Sequence, residues 1–340
     1  MKKSIKISLI VLVLTLTMIM SGCKESTPLA TSENPFGLIG MDIRPDIEGK
    51  IDIDIDSDDQ IALAVQLYEI ACDNDKEVDC RAYYSYCPTN NVAIGMNNKI
   101  LLNILEVKSG DEYFRIDYRL RDDIPLFNYM PGSEDTINKF IKLVTTERRY
   151  ANTDMDHTLY EQVLNASTTE EGIPYANWSN ESDIIKFTDP SESPSKPRVF
   201  SKNQEGVFRK TEHVIDQDTV KSATVTYDEE DGIYSVRIEL DCTLDENDYN
   251  KATEFTRPYI LEGANSKDAH YTDIIIEFDL WDNGYFKEYY STEKWFGHTV
   301  LNLEVSSEFL YKDVFSYDER DCVISKFYKD GDFVDDYYKN

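Results

Sequence analysis

The sequence predicts an α+β fold in which an antiparallel sheet keeps one face apolar and helices cover that face. Three observations predict it. From Tyr234 the chain alternates, with Tyr234, Val236, Ile238 and Leu240 on one phase and Ser235, Arg237, Glu239 and Asp241 on the other. A period of two is that of a half-buried strand. From Thr272 the alternation returns, with Ile274, Ile276, Phe278 and Leu280 set against Asp273, Glu277 and Asp279. It then reaches Asp282-Asn283-Gly284 and a further run from Tyr285 to Tyr290, and Asn-Gly between alternating runs marks a hairpin. Something must cover or fill the apolar face, so these eight apolar residues are the candidate lining of the sheet's interior.

At the amino terminus Lys2, Lys3 and Lys6 precede an apolar run from Ile7 to Met20, which ends at Ser21-Gly22-Cys23. A basic start, a run too short to span a bilayer comfortably and small residues at its end are the marks of a signal peptide. Met20-Ser21-Gly22-Cys23 resembles the lipobox of bacterial lipoproteins, with Met20 where that pattern prefers Leu. The resemblance implies that residues 1–22 are a lipoprotein signal peptide and that Cys23 carries acyl chains. These would anchor the protein to the extracellular face of the bacterial cell membrane without a spanning helix. Residues 23–50 have scattered Pro and Gly and no sustained period, and read as a flexible tether. Residues 51–340 read as a single domain.

The net charge of −30 becomes −33 once the three lysines of the signal peptide are removed. Such a chain is repelled by nucleic acid and by anionic headgroups, which excludes nucleic acid as a partner. The run Ile51 to Asp56 imitates the start of a calcium loop, but Ser57 stands where the loop needs Gly and Leu63 where it needs Glu. An acidic segment whose isoleucines pack on one side is the better reading, and no metal or other cofactor is expected.

Ser57 and Gln60 have capping-box spacing ahead of a helix from Ile61 to Cys72, with Leu63, Leu67, Tyr68 and Ala71 on one stripe. Val78, Cys80, Ala82, Tyr84 and Tyr86 then alternate with Asp79, Arg81 and Ser85, and Cys87-Pro88 is expected to end that strand. A run from Lys99 to Lys108 turns at Ser109-Gly110 into Tyr113–Leu120. Ile137, Phe140, Ile141 and Val144 have helical spacing, although Val144 to Tyr150 could equally begin a strand. The Ser-, Thr- and Pro-rich stretch near 168–200 reads as a long loop or lid that folds back through Tyr175, Trp178 and Phe187. A strand at Thr219–Tyr227, a second helix over 245–256, a strand at Val300–Val305 and one or two last strands between Phe309 and Tyr328 complete the order.

Apart from Cys23, the five cysteines Cys72, Cys80, Cys87, Cys242 and Cys322 are odd in number, and Cys80 and Cys242 read as small buried hydrophobes. The four histidines are isolated, and no GxSxG, HExxH or phosphate-binding glycine loop occurs. Many carboxylates will lie near one another by chance, so their number is no argument for a catalytic pair. The chain is not expected to be an enzyme.

The run Val225 to Val236 through Glu229-Glu230-Asp231-Gly232, its continuation to Asp241, and Ile274 to Asp279 with the following Asn-Gly turn are similar to a pattern in uncharacterised Gram-positive lipoproteins. So are the helix with Tyr249 and the Lys108–Tyr113 turn. Those proteins look like the LolA-like class of lipoprotein carriers and lipidated relatives such as the mycobacterial LppX and LprG group. The resemblance implies an unclosed, strongly curved antiparallel β-barrel with helices packed on its concave face, there to hold acyl chains or another apolar ligand. Tyr234, Val236, Ile238, Leu240, Ile274, Ile276, Phe278 and Leu280 would line its cavity. The same residues serve equally as ordinary core against the helices at 58–74 and 245–256, in a cell-surface protein-interaction or sensor module with no ligand.

Overall fold

Alternating segments do form the body of the molecule, and they form more of it than the sequence predicts. The computed structural model describes residues 31, 33–55, 57–93, 96–122, 145–152, 159–164, 167–169, 173–178, 184–187, 213–263, 266–299 and 301–335. The strands are β1 (Cys80–Ala93), β2 (Met96–Ser109), β3 (Glu112–Asp122), β4 (Thr145–Asn152), β5 (Leu159–Leu164), β6 (Ser167–Thr168), β7 (Pro174–Tyr175), β8 (Ile184–Phe187) and β9 (Val220–Asp228). They continue as β10 (Ile233–Leu240), β11 (His270–Trp281), β12 (Phe286–His298), β13 (Glu304–Ser316), β14 (Tyr328–Lys329) and β15 (Asp332–Phe333). Eleven of them make one sheet in the order β8-β5-β4-β3-β2-β1-β13-β12-β11-β10-β9. Every pairing in it is antiparallel. The end strands β8 and β9 do not pair, so the sheet is unclosed.

One long helix, α1 (Gln60–Glu77), lies over β9 and β10. Its cap is Asp59, which accepts from the Ala62 amide at 3.0 Å, while Ser57 Oγ accepts from the Asp59 amide. Gln60 is not used for a capping box; its Oε1 accepts from the Val225 amide at 2.8 Å and fixes the helix to the edge strand. The predicted stripe of Leu63, Leu67, Tyr68 and Ala71 is buried.

The second predicted helix, over 245–256, is reduced to a single 3-10 turn at Lys251–Thr253. Asp245 accepts from the Asn247 and Tyr249 amides, and Asn250 donates to the Asp241 and Thr243 carbonyls. Short polar side chains here satisfy the backbone in turns, which competes with a helix. The helix begins later, as α2 (Arg257–Gly263), with Pro258 in its first turn, where a missing N–H costs nothing. Among the described residues one long helix accompanies an eleven-stranded sheet, and the fold is mainly β.

Other boundaries differ for local reasons. β1 runs through Pro88; pairing with β2 continues there, but the partners on β13 skip from Tyr86 to Thr89, because proline has no amide to give to a ladder. The strand expected at Val300 starts at Glu304, since Thr299 and Asn302 close a tight turn with Asn302 at φ 61°. The stretch near 168–200 contributes strands β7 and β8 and the buried Trp178. Thr145–Asn152 is a strand, and the helical spacing at 137–144 lies outside the described residues.

Two apolar clusters form on opposite faces. The first joins α1 to β9–β13 and includes Tyr83 and Phe315. The second holds Ala82, Tyr84, Leu105, Phe114, Ile116 and Tyr118 under Cys322, Ile324 and Phe327. Residues on the polar phase of β1, Arg81 and Ser85, are therefore buried too. Phe327 stacks on Phe114 at 4.6 Å and Tyr328 on Tyr150 at 3.8 Å. A disulfide joins Cys80 to Cys322, so Cys80 is not the free hydrophobe its strand phase suggested. Cys72, Cys87 and Cys242 are not disulfide-bonded.

Described residues from the stretch read as a tether make specific contacts with the sheet. Asp321 accepts from the Ile39 and Gly40 amides, and Leu38 is buried in the second cluster. Arg44 and Lys50 both pair at 2.7 Å with Asp282, at the tip of the β11–β12 hairpin. Asn283 donates to the Pro45 carbonyl, and Ile51, Ile53 and Ile55 pack against the first cluster.

Candidate functional site

The eight predicted lining residues come together. Register places Tyr234 opposite Leu280, Val236 opposite Phe278 and Ile238 opposite Ile276. All eight, with Leu240 and Ile274, are no more than 6% exposed and lie in the cluster that α1 closes. The Tyr68 ring of α1 sits 5.8 Å from that of Phe278. They form an apolar floor with the helix seated on it. β-Bulges at Glu239/Leu240, Tyr271/Asp273 and Asp279/Leu280 interrupt the ladders here and bend the strands locally.

The same face continues across β12, β13 and β1 with a different chemistry, which the sequence reading missed. Cross-strand rows run Tyr289–Asp313–Ser85, then Ser291–Tyr311, then Glu293–Phe309–Thr89, then Trp295–Ser307–Asn91. Ser291 Oγ donates to Glu293 Oε1 at 3.0 Å, and Ser307 Oγ donates to Asn91 Oδ1 at 2.6 Å. His213 lies between Glu293 Oε2 at 3.4 Å and Thr256 Oγ1 at 3.0 Å, its ring edge-on to Tyr271. Burial pushes the Tyr289 hydroxyl well above its ordinary value, so it stays protonated. Ser85 Oγ and Trp295 Nε1 are buried with no hydrogen-bond partner among the described residues. The signal that could have found this strip is the phase Tyr289, Ser291, Glu293, Trp295, which carries polar and aromatic groups together and so looks like neither face.

Ser291, Glu293 and His213 are contiguous, but the hydroxyl bonds the carboxylate and not the imidazole. The arrangement suits holding polar groups in place.

Next to the strip, ion pairs tie the helix to the amino-terminal strands. Arg81 reaches Asp75 of α1 and Glu106 of β2, and Tyr83 donates to Glu106. Burial raises the Asp75 carboxyl despite Arg81 beside it. For Asp117 burial also acts upward, but Arg115 at 2.7 Å and Arg149 outweigh it and hold the carboxyl at about 2. A separate cleft of about 470 Å³ between α1 and residues 216–218 is lined by Glu69, Asp216 and Asp218 among others. Among the described residues no three His, Cys, Asp or Glu side chains come together as metal ligands, and no helix is long and apolar enough to cross a membrane.

No family model and no curated protein matches the chain. Among solved structures it is similar to a DUF1329 family protein from Desulfovibrio piger, at 11% identity over 76% of this chain and 94% of that one, with a TM-score of 0.23. A structure of lipovitellin described for its lipid–protein interactions matches at 11% identity, 70% of this chain and 25% of that one, with a TM-score of 0.27. A putative outer membrane protein from Bacteroides fragilis matches at 10% identity, 72% and 98% coverage, with a TM-score of 0.10. At TM-scores this low none of the three carries an argument, and none of them shows the LolA-like resemblance.

Proposed function

We propose that the protein is an extracytoplasmic lipoprotein, anchored through acyl chains on Cys23, that binds an apolar or amphiphilic molecule on the α1 face of its unclosed sheet. One observation carries this reading. That face is continuous, apolar over β9–β11 and tiled with buried polar groups over β12, β13 and β1, which is the gradient an amphiphile presents along its length. Supporting the location are the lipobox-like Met20–Cys23 and the Cys80–Cys322 disulfide, a bond that persists in oxidising compartments.

Expression of the full precursor in a bacterial host, followed by native mass spectrometry and organic extraction, tests it. A co-purifying lipid is the expected result; a ligand-free protein that binds no added apolar dye refutes it. Metabolic labelling with palmitate should mark the wild type and leave Cys23→Ala unmarked.

A second reading, an interaction or sensor module with a solid core, is favoured by the eight floor residues, already closed under α1. It predicts that crosslinking on cells captures a protein while extraction yields no lipid.

A further inference from the structure

Trp295 stands where the two halves of the α1 face meet. Its ring belongs to the apolar cluster of the floor residues, it is 8% exposed, and its Nε1 has no hydrogen-bond acceptor among the described residues. The hydroxyl of its cross-strand neighbour Ser307 donates to Asn91 and does not accept from the indole. Tyr271, its neighbour on β11, faces His213 edge-on. An indole N–H can only donate, and a buried donor left unpaired is costly enough to require explanation.

We propose that Trp295 Nε1 is the donor that reads the polar end of the bound amphiphile, and that it selects an uncharged oxygen acceptor such as an ester or hydroxyl. The exclusion of anions follows from Glu293, two residues along the same strand face and 9% exposed. A carboxylate or phosphate placed beside it would bury a second negative charge. The acceptor would lie at the indole. This rests on the amphiphile-binding reading above.

The test uses the mature chain with Cys23→Ser, an apolar naphthylamine dye, and three competitors of similar chain length: monooleoylglycerol, oleate and octadecene. Wild type should bind monooleoylglycerol about five- to tenfold more tightly than octadecene, the ratio of one net hydrogen bond, and oleate more weakly than monooleoylglycerol. In Trp295→Phe, with its fold checked by melting, the first ratio should fall to about one. In ¹⁵N-indole spectra of wild type, the resonance missing from the variant should shift with monooleoylglycerol and stay put with octadecene. A retained ratio in Trp295→Phe overturns the proposal. So does an indole resonance that monooleoylglycerol leaves unmoved, which would mean that a buried water holds it. Wild type that binds neither dye nor competitor overturns the amphiphile-binding reading as well; wild type that binds all three without preference overturns this inference alone.

Discussion

Replacing Ile276 with Asp tests the central claim that the floor of β10 and β11 is sealed from water. Ile276 is 0% exposed, opposite Ile238 at 0% and Ser291 at 2%. Truncating such a side chain costs about 2–5 kcal/mol. The new carboxyl must also be kept protonated at neutral pH, which costs about 4 kcal/mol from an ordinary value near 3.9. The sum, about 6–9 kcal/mol, lies within the whole stability of a typical domain, about 5–15 kcal/mol. Thermal and urea unfolding followed by aromatic fluorescence should find Ile276→Asp unfolded or barely folded at pH 7. The folded-state pKa of this carboxyl is raised, so its penalty is absent below the unfolded value and grows as pH rises above it. Stability should therefore return towards pH 4. Ile276→Val, which removes one methyl, should cost only about 0.5–1.5 kcal/mol. A melting temperature for Ile276→Asp within a few degrees of wild type at pH 7, with no gain at pH 4, would show that water reaches this face.

Three further outcomes are expected. Cys80→Ser with Cys322→Ser opens a link between residues 242 apart; chain entropy sets an upper figure of about 5 kcal/mol, and hydrogen exchange should rise first in residues 322–334, with α1 keeping its protection. Asp282→Asn removes the carboxylate that Arg44 and Lys50 share, so limited trypsin digestion should cut after Lys50 faster than in wild type. Because the folded pKa of Asp282 is lowered, acidification below the ordinary carboxylate range should loosen the same segment. Asp117, held at about 2 in the fold, stabilises it fully above its unfolded value and loses that contribution as pH falls from about 4 to about 2. The loss is about 2 kcal/mol, and Asp117→Asn should flatten that part of the stability–pH curve.

The carboxyl-terminal strands were legible because each has one wet and one dry side, so the shared phase of Tyr234–Leu240 and of Ile274–Leu280 follows from alternation, and the β11–β12 hairpin from its Asn-Gly turn. β1 to β3 were legible as strands but not as to environment. Arg81 and Ser85 read as the polar phase of the strand, and the pairing of Arg81 with Asp75 from α1 and Glu106 from β2 explains a buried arginine there. The reduction of the helix predicted over 245–256 shows the limit of spacing alone, since Asp245 and Asn250 spend their side chains on turns. The Cys80–Cys322 pairing was illegible because it depends on β1 and β13 being neighbours, which no local pattern reveals. The polar strip was missed for a related reason: its rows are assembled from β12, β13 and β1, and each strand contributes only every second residue.

Within each half of the sheet, most strands join a neighbour that was synthesised just before them. The seam between β1 and β13 is different, pairing Ala82 with Ser316. Synthesis therefore delivers its two sides far apart in time, and until Glu304–Ser316 emerges, the fourteen residues of β1 present a raw hydrogen-bonding edge. Loss of β13 through early termination would thus leave two separate part-sheets, each with an adhesive border, in place of a slightly shortened protein.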